Sequence, residues 1–143
     1  MKAKQLQARG EKTWAIVFDV DDEVVRGLTD FAAAHGLGAA HLTAIGAFRD
    51  AMLGYFDWQS KHYRKIPVHE QVEVLSLVGD IALKDGAPSL HAHAVLGQAN
   101  GSVLGGHLLE GHVRPTLEVT VVESQVHLRR EHDPVSGLPL IKL

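Results

Sequence analysis

Three histidines in one stretch offer the clearest chemistry in this sequence. SLHAHAVLGQANGSVLGGHL, residues 89–108, holds His91 and His93 two positions apart, an Asn-Gly at 100–101, and His107 directly after Gly105-Gly106. Neutral imidazoles are ligands for divalent transition metals. Three of them on one sheet face suit Zn²⁺, with Ni²⁺ and Fe²⁺ as other options. Three protein ligands leave a fourth position for water, a substrate or a residue of another subunit. Glu118 and Glu73, on neighbouring predicted strands, are candidates for a fourth ligand or for an acceptor that orients an imidazole N–H.

Whether the imidazoles meet depends on the elements that carry them. On a strand, residues i and i+2 share a face, so His91 and His93 project together, about 7 Å apart at Cα by strand rise. His107 lies across a hairpin. A two-residue Asn100-Gly101 turn pairs Ala94 with His107 and sends that side chain to the other face. A three-residue loop of Ala99, Asn100 and Gly101, with Gly101 left-handed in a G1 bulge, pairs Gln98 with Ser102 and sets His93 opposite His107. One residue of register flips the face. A bulge at Gly105-Gly106 would also restore convergence, so Gly101, Gly105 or Gly106 must absorb the odd residue. The other histidines receive no role: His35 reads as a partner of a helix C-terminus, and His112 as a solvated loop residue.

The surrounding pattern supplies the scaffold. TWAIVFDV (13–20) reads as a strand buried on both faces. Asp21 or Asp22 then caps a helix that places Val24, Val25, Leu28, Phe31 and Ala32 on one face and ends at Gly36. Gly27 weakens that helix. AHLTAIGAF (40–48) and AMLGYFDW (51–58) read as two strands joined at Arg49-Asp50, and SKHYRKIPV (60–68) as a loop or hairpin approach. QVEVLSLVGDIAL (71–83) reads as a long strand bent at Gly79, KDGAPS (84–89) as a turn, EGHVRP as a loop, and TLEVTVVESQVHLRRE (116–131) as a half-buried strand. One principal helix among six or seven strands gives an α+β fold with a mainly antiparallel sheet. A single domain spans residues 1–143, with its core at about 13–131 and a surface tail over 132–143.

Composition narrows the function classes. The 143 residues are 45% hydrophobic and 22% charged, with a formal net charge of -3, ten histidines and no cysteine. The acidic balance argues against non-specific DNA binding by the domain surface. The lack of cysteine excludes disulfides and thiolate zinc sites, and fits a reducing compartment. MKAKQLQARGEKTW has no apolar core of signal-peptide length and no later run could span a bilayer, so a cytoplasmic protein is expected.

Several segments together are similar to a known family. EVLSLVGDI (73–81), LHAHAVLG (90–97), GSVLGGHLLEGHV (101–113) and LEVTV (117–121), preceded by HLTAIGAFRDAMLGYFD (41–57), resemble the PPC domain, "plants and prokaryotes conserved", over roughly residues 13–123. Bacterial members are labelled as candidate DNA-binding proteins. The resemblance implies a central antiparallel sheet with a helix against it, assembled as a homotrimer. It also implies that His91, His93 and His107 stand at the histidine cluster of prokaryotic members, where a metal such as zinc can sit. In plants the domain follows an AT-hook, an Arg-Gly-Arg core that enters the minor groove of A·T-rich DNA. ARGEK (8–12) is no substitute for it. The plant recognition segment Gly-Arg-Phe-Glu-Ile-Leu falls on residues 70–75, where only Glu73 and Leu75 are identical, so plant partners do not carry over.

Three functions are compatible with these residues. The first is a trimeric, regulatory interaction module with a histidine-bound metal, in which KHYRK (61–65) and HLRR (127–130) are the basic spots available for DNA. The second is a metal-dependent enzyme acting on a small molecule at the open position, with Glu73, Glu110 or Glu118 as base. Cupins also use an HxH pair, but they place a glutamate where Gly97 stands. The third is a structural trimer without metal.

Overall fold

The computed structural model describes residues 1–7 and 10–143. Ala8 and Arg9 of the ARGEK stretch lie outside the described residues. In chain order the elements are β1 (Lys2–Gln7), β2 (Thr13–Phe18), α1 (Val24–His35), β3 (Ala39–Asp57), β4 (His62–Val68), β5 (Val72–Lys84), β6 (Ala87–Gly97), β7 (Val103–Glu123), β8 (Arg129–His132) and β9 (Pro139–Lys142). Among the described residues all the strands join one sheet, and only the β5–β8 pairing is parallel. The ladders β3–β5, β5–β6, β6–β7 and β7–β3 close on themselves. The fold is thus mostly antiparallel β with one helix, as the pattern of elements predicts.

The core lies inside this curled sheet and under α1. Phe48, Leu53, Leu77, Leu96 and Leu117 fill it from the strands, and Val24, Leu28, Phe31 and Ala32 from the helix. The helix buries the face that its periodicity predicts. Gly36 ends it in the left-handed conformation, at φ 63°. Its N-cap is Glu23, not Asp21 or Asp22. The Glu23 carboxylate accepts from Val25 N and Arg26 N, and from Gly111 N of β7 at 3.1 Å. Asp22 is occupied elsewhere, accepting from Asp19 N and pairing with the N-terminal ammonium. Gly27 has a packing reason. A Cβ there would lie 2.4 Å from the Phe18 ring, so glycine lets the helix approach β2 closely.

Several strand expectations change. β2 buries Trp14, Ile16 and Phe18 while Val17 is exposed, so only one of its faces is covered. β3 runs unbroken through Arg49-Asp50, because each charge finds a partner without leaving the strand. Arg49 Nε donates to Asp50 at 2.7 Å, and Arg49 also pairs with Asp21. Residues 62–68 form a strand against β3. β7 continues through EGHVRP, held by β3 on that side, and ends at Glu123 rather than 131. The register shift in β5 falls between Val74 and Ser76, not at Gly79. Gly79 is needed for close approach, since a Cβ there would meet the His91 carbonyl oxygen at 2.5 Å. The tail forms β9 against β8.

Candidate metal centre

The β6–β7 hairpin resolves the register question. Gln98 N donates to Ser102 O at 2.8 Å, and Gly101 N donates to Gln98 O at 2.9 Å. Gly101 has φ 83°, so the loop is the three-residue one with a left-handed glycine. The Asn100 side chain accepts from Ser102 N at 2.9 Å and stiffens the bend. His93 therefore stands opposite His107, and the pairing runs evenly through Ala94–Gly106 and Val95–Gly105. No bulge occurs at Gly105-Gly106. Gly106 serves close packing instead, since a Cβ there would sit 2.9 Å from the Gly54 carbonyl oxygen of β3.

The three imidazoles converge. One nitrogen from each of His91, His93 and His107 lies within 4.8 Å of the others. The ring centroids are 5.1–5.4 Å apart. His91 Nε2 and His93 Nε2 are 3.2 Å apart. Two Zn–N bonds of about 2.0–2.1 Å at a tetrahedral angle place the nitrogens roughly 3.3 Å apart, so this pair already has ligand spacing. His107 Nδ1 is buried and has no hydrogen-bond partner, a state that buried polar atoms rarely keep. The donor set and this orphaned nitrogen both fit a divalent transition metal.

Electrostatics favour the neutral form of two of the rings. Burial, with His91 and His93 alongside, pushes the His107 imidazole down to about 4. Burial also lowers His91, assisted by Arg130 and His93 against the opposing pull of Asp80. Both shifts favour the neutral ring, the form that donates a lone pair. On the outer side Asp80 Oδ2 lies 3.8 Å from His91 Nδ1. A carboxylate there favours the tautomer that leaves Nε2 free for the cluster. The other Asp80 oxygen accepts from Arg130, and the Tyr63 ring stacks on His107 at 4.8 Å.

Glu118 and Glu73 are not part of this cluster. They stand on β7 and β5 beside Ile45, Gly46 and Leu75, lining a separate depression. Asp80 occupies the flanking place that the sequence reading assigned to them. A countable signal pointed to it: a two-residue Asp85-Gly86 turn pairs Lys84 with Ala87, and the same register pairs Asp80 with His91. Arg130 and Tyr63 left no such signal, because they arrive from β8 and β4. His112 is a strand residue whose Nδ1 lies 2.7 Å from Asp50 Oδ1, not a solvated loop residue. Burial raises the Asp50 carboxyl, but Arg49 and His112 outweigh it and hold it below the usual range. His35 lies 2.9 Å from the Phe31 carbonyl oxygen in the last helical turn.

Comparison with known proteins agrees with this geometry. The profile of the Plants and Prokaryotes Conserved (PCC) domain matches residues 5–125. A solved structure described as the metal-containing protein AF0104 from Archaeoglobus fulgidus is 37% identical, with TM-score 0.85 over 92% of this chain and 93% of that one. A plant- and prokaryote-conserved protein from Pyrococcus horikoshii is 30% identical, with TM-score 0.87 over 99% and 95% of the two chains. A candidate DNA-binding protein from Bacteroides thetaiotaomicron is 25% identical, with TM-score 0.88 over 98% and 96%. The chain is also 31% identical over 98 residues to the Bifunctional protein GlmU of a Synechococcus strain, matching 67% of its own length but only 14% of that protein's.

Proposed function

The chain belongs to the Plants and Prokaryotes Conserved domain family, and from that premise we propose that it is a cytoplasmic homotrimeric interaction domain. It holds a divalent transition metal, zinc in the first place, on His91, His93 and His107. The observation that carries the reading is the convergence of three ring nitrogens within 4.8 Å, with the surroundings of two of the rings favouring their neutral form. The relative described as metal-containing supports it. A bound ion would supply a Lewis-acidic position. The chain's own part is to present neutral imidazoles, with Asp80 favouring the His91 tautomer.

Elemental analysis of protein purified without a histidine tag tests this. His93 is exposed, so His93→Ala removes a ligand without opening the core. The wild type is expected to carry about one transition metal per chain, and the variant at least tenfold less, since loss of even an outer partner costs about 10–100-fold in metal affinity. Equal metal in both proteins overturns the assignment.

The trimer reading is supported by an unpartnered sheet face. Val17, Ile45, Leu75, Val78 and Val95 are exposed on β2, β3, β5 and β6. Large apolar side chains gathered on one sheet face mark an association surface. His93 is opposite Val78, so the metal cluster borders that face.

DNA contact is a second reading, favoured by the β3–β4 hairpin. Its Tyr55 and Trp58 are exposed, Lys61 Nζ lies 3.2 Å from the Trp58 ring centroid, and the Arg64 guanidinium lies 5.0 Å from that of Tyr55. Aromatic faces flanked by cations suit bases and phosphates. A gel shift that persists at about 150 mM salt supports this reading, and one that vanishes there reduces it to charge attraction.

A further inference from the structure

The histidine cluster opens onto a cavity of about 190 Å³, the room of roughly six waters at about 30 Å³ each. His91 and His107 form part of its wall, and Arg130 another part. The rest is largely apolar, from Leu90 on β6 and from Leu138, Pro139 and Leu140 of the tail, with Tyr63 and Ser89 adding two hydroxyl-bearing side chains. The tail therefore does more than cover surface: it completes a chamber beside the metal ligands.

Arg130 is the unusual member. Its side chain is only 6% exposed, and arginine is almost never buried unless paired. Asp80 takes one end of the guanidinium, but Nε is buried and has no hydrogen-bond partner. A guanidinium offers five donors, so one carboxylate does not satisfy it. Among the described residues no carboxylate lines the cavity itself, and Asp80 already offsets the arginine charge. A divalent ion on three neutral imidazoles would leave the chamber with a net positive charge and no anion to balance it.

From this cavity we propose that the site binds a small monocarboxylate with a short apolar tail. Its carboxylate meets Arg130 and the metal-facing side of the chamber, and its tail packs among Leu90, Leu138 and Leu140. The chemistry of the walls selects this class. A guanidinium that lines the cavity, with Asp80 on one end only, matches a carboxylate, and the leucines disfavour a fully hydrated oxyanion. The small volume suits a ligand of a few heavy atoms. The proposal rests on the metal reading for the second positive charge, whereas the Arg130 contact stands apart from it.

Calorimetric titration with butyrate, butyramide and inorganic phosphate tests the proposal, with metal content measured on the same samples. Butyrate is expected to bind at least tenfold more tightly than either butyramide or phosphate. Arg130→Gln is expected to weaken butyrate at least tenfold at unchanged metal content. Because Arg130 is buried, Leu138→Trp provides a second variant. It fills the chamber while leaving the Arg130–Asp80 pair in place, and is expected to abolish butyrate binding. Butyramide or phosphate binding as well as butyrate, no butyrate binding to wild type, or full binding by both variants overturns the proposal. Selective butyrate binding by a wild type that carries no metal retains the Arg130 site and rejects the metal reading, so the two failures are distinguishable.

Discussion

At the residue scale the account depends on histidines that resist protonation. The His107 ring is pushed down to about 4, against an ordinary value near 6.5. Between those pH values the unfolded chain binds more protons than the folded one, so stability rises with pH there. The contribution is complete above about 6.5 and is lost as the pH falls toward 4. Its slope is at most about 1.4 kcal/mol per pH unit, and less in practice because the ring keeps some solvent contact. The melting temperature of the metal-free protein is expected to drop over this window, and the drop to be shallower in His107→Gln. Parallel profiles for the two proteins would contradict the assignment. The His91–His93 pair was legible from spacing, because His-x-His on a strand has only one geometry, whereas the side of His107 hung on the turn. Arg130 was not, because it reaches the site from β8, which pairs with the far end of β5 at Leu83 and Lys84. No local periodicity encodes that distance.

At the element scale the site depends on the length of one loop. The β6–β7 bend uses Ala99, Asn100 and Gly101, and Gly101 takes the left-handed conformation. Deleting Ala99 leaves a two-residue Asn-Gly turn, which is a good hairpin in its own right. It would pair His107 with Ala94 and turn the ring away from His91 and His93. The deletion variant is expected to fold and to lose its metal. Retention of wild-type metal content would show that the register does not control the site. The alternatives for this turn could be written from the sequence, since each was a matter of counting. The continuity of β3 and β7 could not. Arg49-Asp50 and EGHVRP look like breaks because charges and proline interrupt the pattern. In the fold those charges pair with one another and with Asp21 and His112, so the strands continue through them.

At the scale of the whole molecule, the inner face of the curled sheet holds the core with α1 packed on it, while the outer face carries exposed apolar side chains. Ile45 is 62% exposed and Leu75 54% exposed near its centre. Strands with apolar residues on both faces read as fully buried, which is why β2 was expected to be covered twice. The second cover is supplied by other copies of the chain in the proposed trimer. Ile45→Lys places a charge on this exposed surface, beside Glu118 and Glu73, without opening the monomer's core. Sedimentation equilibrium is expected to give three times the chain mass for the wild type and a single chain mass for the variant. Equal masses for the two would remove the face from the interface. The histidine cluster lies at the border of this surface, since His93 stands opposite Val78.

The most direct test of the central claim is X-ray absorption at the metal edge on untagged wild-type protein. The account predicts a transition-metal edge, zinc in the first place, with a first shell near 2.0–2.1 Å and the outer-shell scattering of three imidazoles. No edge, or a first shell of oxygen without imidazole scattering, would contradict it.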